Sequence, residues 1–335
     1  MKTYRTDLIK IIKPLQYLLP AALFLIFLSA CQSNQAKETR TGFYLNTVIS
    51  VTIYGRSSEE LFDGCMELAE YYDNMFSRTT PGSDIWNINH SNGSPVTVQE
   101  ETLSLLRTAL SYAEMSDGLV DPTIGTLSIL WNFGDENQGI IPSETEITDA
   151  LSHVNYKNVV ISGNQVTLKD EKACLDLGFI AKGYIADRMK EYLVSKGVKN
   201  AIINLGGNVS AIGSRLDGTP YKVGVQKPFA ETGTSALILE IEDKSVVSSG
   251  NYERYFEKDG ILYHHILSTK NGYPSDSGLS GVTIISEKSV DGDALSTLCF
   301  LLGYEKGMAL IDSLDNVEAV FITNDGTVYQ TFDSP

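Results

Sequence analysis

Leu175-Asp176-Leu177-Gly178-Phe179-Ile180-Ala181-Lys182-Gly183-Tyr184 is the stretch on which the reading of this chain turns. An apolar approach ends in Asp176, a glycine-containing turn follows, and a helix opens with Lys182 in its first turn. The first N–H groups of a helix have no partner inside it and attract anions. A lysine there opposes the helix dipole, so it points to a ligand, with a salt-bridged turn as the plain alternative. The amphipathic helix is expected over 182–196, ended by Gly197. A strand over 201–205 runs into Asn204-Leu205-Gly206-Gly207-Asn208. Paired glycines let a ligand approach the backbone, or simply make a tight turn. There is no complete dinucleotide fingerprint and no Walker-type Gly-Lys-Ser/Thr.

Working outward, β-branched alternation predicts a strand over 43–54, and apolar residues at helical spacing predict helices over 57–76 and 98–116. Residues 77–94, rich in Ser, Thr, Gly and Asn, read as a loop of the kind that carries binding groups. Residues 135–145 read as a polar insertion. Further strands are expected over 159–161, 165–168, 222–226, 236–241, 245–249, 262–266 and 281–286. A helix then runs from near Asp293 to Leu302, and a closing hairpin spans Asn324-Asp325-Gly326-Thr327. Strands and helices are interspersed without strict βαβ order, so the fold class is α+β.

The N-terminus reads as targeting rather than fold. Lys2, Arg5, Lys10 and Lys13 form a basic region, an apolar run over 15–28 follows, and Leu28-Ser29-Ala30-Cys31 resembles the bacterial lipobox. The apolar run is too short for a comfortable membrane span. The expected organisation is a lipoprotein signal over 1–30, lipidation of Cys31 that tethers the chain to a membrane, a polar tether over 31–41, and one domain over 42–335. The full chain has net charge −16; residues 1–30 hold four basic residues and one acidic, leaving 22 basic against 41 acidic, net −19. That balance argues against nucleic-acid partners and against electrostatic adhesion to an anionic bilayer. A bound polyphosphate must therefore be held by local groups or a cation. Cys65, Cys174 and Cys299 match no zinc spacing and no disulfide framework, and their apolar surroundings read as buried thiols.

Two further segments carry donors. Asp291-Gly292-Asp293-Ala294-Leu295-Ser296-Thr297 opens a helix on which Asp293 and Thr297, four apart, share a face. A carboxylate and a hydroxyl suit a hard cation such as Mg2+; an N-terminal Asp favouring the dipole is the alternative. In Tyr263-His264-His265-Ile266 adjacent strand residues face opposite ways, so only one His can face a given site.

Together these segments resemble the ApbE family, the FAD:protein FMN transferases, over most of residues 42–330. Four motifs occur in the family's order: Asp176 to Tyr184, Asn204 to Asn208, Ser249-Gly250-Asn251-Tyr252-Glu253-Arg254-Tyr255, and Asp293 to Thr297. Asp117-Gly118-Leu119-Val120-Asp121-Pro122-Thr123-Ile124-Gly125, with Trp131 and Gly134, resembles a fifth. The resemblance implies a two-lobed α+β domain, with mixed or antiparallel sheets flanked by helices. It implies FAD as substrate, contacted by Asp176, Lys182, Leu119, Val120 and Asp121. Mg2+ would be held by Asp293, Thr297 and the Phe179 carbonyl. The family's His falls on His265, which with Asp293 is expected to be catalytic. The implied partner is an extracytoplasmic flavin-accepting subunit of an electron-transfer complex, modified on a Thr or Ser. FAD hydrolysis and non-catalytic flavin binding remain alternatives.

The chain departs from the family pattern in places. After His265-Ile266-Leu267 the family's Asp-Pro is Ser268-Thr269, and its Thr before Gly272 is Asn271. Those residues, with Ile266, would line the flavin site. Leu45-Asn46-Thr47 stands where Met-Gly-Thr is usual, and Thr79 where an aromatic often follows Ser-Arg. Leu45 and Thr79 are therefore expected flavin contacts of altered character.

Overall fold

The computed structural model describes residues 37–134 and 139–332; the signal segment, Cys31 and the start of the polar insertion lie outside the described residues. In chain order the strands are β1 Lys37–Tyr44, β2 Thr47–Tyr54, β3 Val96–Thr97, β4 Val159–Ser162, β5 Gln165–Leu168, β6 Ala201–Leu205, β7 Asn208–Ile212, β8 Tyr221–Gln226, β9 Ser235–Ile241, β10 Ser245–Gly250, β11 Tyr255–Lys258, β12 Ile261–His264, β13 Leu279–Ser286, β14 Glu318–Thr323 and β15 Val328–Gln330. The helices are α1 Glu59–Phe76, α2 Asp84–Asn89, α3 Glu100–Met115, α4 Gly125–Trp131, α5 Glu144–Ser152, α6 Ala181–Ser195, α7 Ser289–Leu302 and α8 Tyr304–Asp312. No helix among the described residues is long and apolar enough to cross a membrane.

An eight-stranded sheet in the order β1-β2-β6-β7-β10-β13-β14-β15 organises the fold. Every named strand pair is antiparallel, the antiparallel form of the α+β class expected. β13 is buried along its whole length, so the sheet is covered on both faces. Period-2 alternation sorts the side chains. Val282, Ile284, Ala319 and Phe321 join the apolar cluster of α7 and α8. Ile285, Val320 and Ile322 point the other way, into the β8–β9 hairpin beside Tyr221, Val225 and Leu239. A separate cluster of Leu127, Trp131, Ile147 and Leu267 holds α4, α5 and the β11–β12 hairpin together.

Several boundaries differ from the sequence reading. The strand expected over 43–54 is a hairpin: Leu45 and Asn46 both take φ +55 and turn the chain, the paired positive φ of a two-residue hairpin loop. Its first arm starts at Lys37, so residues 37–41, read as tether, belong to the sheet edge. The loop over 77–94 contains α2, whose N-cap Ser83 accepts the Trp86 N–H at 2.9 Å. The helix expected from near Asp293 begins at Ser289, so Asp293 sits in its second turn. Among the described residues the cysteines are free; Cys65 and Cys299 are buried and Cys174 half-buried. Burial pushes the thiols of Cys65 and Cys299 up to about 12 and that of Cys174 to about 11.

α6 and α7 cross at their first turns and cap each other. Asp187 on α6 accepts the N–H of Ser289 at 2.8 Å and of Val290 at 3.0 Å. Asp293 on α7 accepts the Gly183 N–H at 2.9 Å. Each carboxylate meets the positive end of the other helix. Burial pushes Asp187 up to about 6, although both N–H bonds pull the other way. The crossing needs a glycine: a Cβ on Gly183 would stand 2.3 Å from the Ser289 carbonyl and 2.7 Å from Val290 Cα, both backbone atoms. We therefore expect Gly183→Ala to lower stability by about 1–3 kcal/mol, the cost of overpacking a close crossing. A urea denaturation midpoint equal to wild type contradicts this.

Candidate active site

A cavity of about 600 Å3 opens between the main sheet, the α6–α7 crossing and the α4/β12 lobe. It collects segments far apart in sequence: the β1–β2 turn (Leu45), the α3–α4 loop (Leu119 to Asp121), the α6 turn (Asp176, Phe179, Lys182), and Ser249, Arg254, His265, Ile266, Asp293 and Thr297. All the expected flavin, metal and catalytic residues among the described residues therefore share one wall system, except Thr79. Thr79 is exposed, its N–H donating to Ser77 Oγ at 3.2 Å. Its neighbour Arg78 lines the cavity instead, since the turn that points Arg78 inward sends Thr79 outward.

At the opening turn Asp176 Oδ1 accepts the Gly178 N–H at 2.9 Å, and Oδ2 pairs with Arg78 Nε at 3.2 Å. Asp176 thus shapes the turn and fixes a cation over the cavity. Asp121 is likewise occupied: Oδ1 accepts both the N–H and the hydroxyl of Thr123, and Oδ2 the Tyr156 N–H. Its carboxylate serves the loop that presents Leu119 and Val120, which is more than the flavin contact expected of it. Burial raises its pKa against those three bonds.

The oxygen donors meet at the helix crossing. Asp293 is 3% exposed. With Oδ2 committed to Gly183, its Oδ1 lies 3.8 Å from Lys182 Nζ. Gly183 is the third residue of α6, so its N–H has no partner inside the helix and is taken by Asp293; Phe179 lies ahead of the helix and lines the cavity. Thr297 is one turn beyond Asp293, its hydroxyl 3.2 Å from Ser249 Oγ. No group of three or more His, Cys, Asp or Glu among the described residues could hold a metal. The donor set is instead one carboxylate and neutral oxygens, which fits a hard cation whose shell substrate phosphates and waters complete.

The two histidines divide as alternation requires. His264 is buried, with Nε2 2.9 Å from the Ser275 carbonyl. His265 faces the cavity, its N–H donating to the Arg254 carbonyl at 3.1 Å and its Nδ1 buried without a partner. Burial first, then Arg254, His264 and Lys182, push His265 down to about 3. The departures after it are accommodated locally. Ser268 Oγ accepts the Lys270 N–H at 3.2 Å, the turn an Asp side chain also makes. Thr269 Oγ1 donates to the Gly118 carbonyl at 2.8 Å, joining two cavity walls as a proline could not. Asn46, where the family has Gly, takes the left-handed conformation that Asn tolerates. Thr47 behind it leaves no room for a Cβ on Gly206, which would sit 2.4 Å from Thr47 Oγ1.

Arg78 and Arg254 were not singled out from sequence. With Lys182 they give the cavity three cations beside the carboxylates of Asp121, Asp176, Glu253 and Asp293. The available signal was the need for local cations in a chain of net −19.

A neutral His265, half-buried with its Nδ1 shut off from solvent, has a consequence for pH. The unfolded state takes up a proton near the ordinary histidine pKa of about 6.5, which the native site refuses until about 3. The contribution of His265 to stability is therefore full above about 6.5 and is lost progressively as pH falls toward 3. His265→Gln should flatten the loss of stability between those values, and 15N-edited NMR should show His265 unprotonated at pH 5. A measured pKa near 6.5 contradicts the burial.

Relatives share this arrangement of chain. An FAD:protein FMN transferase of Klebsiella pneumoniae is 38% identical over 268 residues, covering 79% of this chain and 83% of the relative. One of Treponema pallidum is 32% identical over 310 residues, covering 87% and 85%. Among solved structures, the ApbE protein of Thermotoga maritima gives a TM-score of 0.82 at 32% identity, covering 88% of this chain and 97% of that one. The flavin transferase ApbE of Vibrio cholerae gives 0.79 at 26% identity, with the same coverage. Residues 45–321, which bring every expected flavin and metal residue of the cavity onto one matched segment, correspond to the ApbE family, and the chain belongs to it.

Proposed function

We propose that this protein transfers FMN from FAD to a Thr or Ser hydroxyl of an acceptor protein and releases AMP. The observation that carries the reading is the convergence of Asp293, Thr297 and Phe179 beside Lys182, in a cavity that also holds Arg78, Arg254 and His265. The cavity is large enough for much of a dinucleotide. Its cations answer the problem of holding a pyrophosphate in an acidic protein.

In the reaction the acceptor oxygen bonds to the FMN phosphorus, the P–O bond to AMP breaks, and the hydroxyl proton passes to His265 and from it to solvent. Mg2+ held by Asp293, Thr297 and the Phe179 carbonyl would neutralise the pyrophosphate and stabilise the leaving AMP. Lys182 and Arg254 place positive charge along the phosphates. Arg78, held by Asp176, does so from the facing wall. His265 lines the cavity and would take the proton of the attacking hydroxyl through Nε2, since its Nδ1 is buried. Its protonation becomes easier once an anionic substrate offsets the neighbouring Arg254 and Lys182. Leu119, Val120 and Ile266 supply apolar wall for flavin contacts, with Leu45 at the hairpin tip.

The acceptor we propose is an extracytoplasmic flavin-bearing subunit of an electron-transfer complex. The basic region, apolar run and Leu28-Ser29-Ala30-Cys31 support a membrane tether through lipid on Cys31. Cys31→Ala should abolish incorporation of labelled palmitate in cells; label that persists rejects the anchor.

Mass spectrometry of an acceptor incubated with FAD, with EDTA and then with Mg2+ restored, tests the activity. We expect an FMN adduct only with Mg2+. Asp293→Ala removes the one charged ligand and should slow transfer by about 100-fold or more. Lys182→Ala should weaken FAD binding by about 1.5–3 kcal/mol, the range for a lost bond to a charged group. Free FMN without adduct assigns hydrolysis instead, and no turnover assigns a flavin-binding protein. Full transfer in EDTA removes the metal from the mechanism.

A further inference from the structure

Three hydroxyls lie in series behind the donor set. Ser296 Oγ is 3.0 Å from the Asp293 carbonyl, Ser249 Oγ is 2.8 Å from Ser296 Oγ, and Ser249 Oγ is 3.2 Å from Thr297 Oγ1. Each hydroxyl has a single proton to donate and lone pairs to accept with. The carbonyl at one end can only accept, so Ser296 spends its proton on Asp293. Ser249 must then be the donor to Ser296. With its proton spent, Ser249 can only accept from Thr297. The series therefore has one direction, Thr297 to Ser249 to Ser296 to the Asp293 carbonyl.

We infer that Ser249 and Ser296 are positioning residues that polarise Thr297 for the cation, an inference that rests on the metal reading given above. With its proton pulled toward β10, Thr297 turns oxygen lone pairs to the cavity, where Asp293 Oδ1 and the Phe179 carbonyl also offer oxygen. Without the relay the Thr297 hydroxyl could turn its proton toward the cation and meet it with the wrong end of its dipole. The relay also closes on Asp293 itself. One hydrogen-bonded unit thus fixes the register of both α7 donors against strand β10. Burial makes the arrangement stiff: Ser296 is fully buried, and a buried hydroxyl without a partner is costly.

Ser296 distinguishes the relay from direct contact, because it does not line the cavity whereas Ser249 does. The experiment is flavin-fluorescence titration of FAD, first in EDTA and then across a Mg2+ series. It uses wild type, Ser249→Ala, Ser296→Ala and the hydroxyl-retaining Ser249→Thr. FAD affinity in EDTA should be the same for wild type and Ser296→Ala, whose side chain does not line the cavity. The Mg2+ concentration that gives half of the metal-dependent tightening should rise about tenfold in both alanine variants, the usual scale for losing a group that orients a metal ligand. Ser249→Thr should remain near wild type. Unchanged Mg2+ demand in both alanine variants overturns the relay. So does a loss of FAD affinity by Ser296→Ala in EDTA as large as its loss in Mg2+, which makes the effect one on the packing of the cavity and not on the metal. If wild-type affinity for FAD ignores Mg2+, the metal reading itself fails, and the relay with it.

Discussion

The structure depends on the reciprocal capping of α6 and α7. Two helices approach through their positive ends, an arrangement that repels unless negative charge lies between them. Asp187 and Asp293 supply that charge, one from each helix, and each takes N–H groups of the other. Gly183 permits the approach because it carries no Cβ at the point of contact. The same contacts that hold the crossing also create the site. Asp293 is brought beside Lys182, in the cavity that Phe179 and Thr297 also line. Stability and chemistry therefore share residues here, and the crossing cannot be repacked without moving the donors.

Around that crossing the electrostatics run opposite to the chain as a whole. The protein is strongly acidic, and long-range field repels a dinucleotide. Three cations line the cavity, and Arg78 and Lys182 are each paired with a carboxylate, Asp176 and Asp293. Such pairs let a low-dielectric site hold positive charge before substrate arrives. They also leave donors that an incoming phosphate can use. The two walls come from different packing units: the sheet-and-helix body, and the smaller lobe built on Trp131. Thr269 to Gly118 is a hydrogen bond across loops of the cavity. The substituted loop after His265 thus retains its turn through Ser268 and gains a link through Thr269.

Much of this was legible in the chain. The turn and helix around Lys182, the strand runs, and the i, i+4 placement of Asp293 and Thr297 follow from local periodicity and turn chemistry, which act between neighbours in sequence. Strand alternation likewise dictates that only one of His264 and His265 faces the site, while the resemblance to the family picked out His265. Two local signals went unread. Ser143-x-x-Glu146 is a capping box that starts α5 within the apparent polar insertion. Ser83 caps α2 within the apparent loop. The edge strand β1 was read as tether because its polar composition hides pairing that only β2 supplies.

What the sequence determined by itself was the set of elements, the acidic balance and the types of residue able to bind a metal and a phosphate. Those properties depend on residue chemistry and on spacings of two to four residues. Which oxygens are free was decided only by tertiary structure. Asp121 and Asp176 look like ligand groups in sequence, but Thr123, Tyr156, Gly178 and Arg78 occupy their oxygens. Arg78 and Arg254 become site residues only when segments more than a hundred positions apart share one cavity. A hydrogen bond is spent by whichever partner the fold brings within about 3 Å, and no pattern along the chain records that partner.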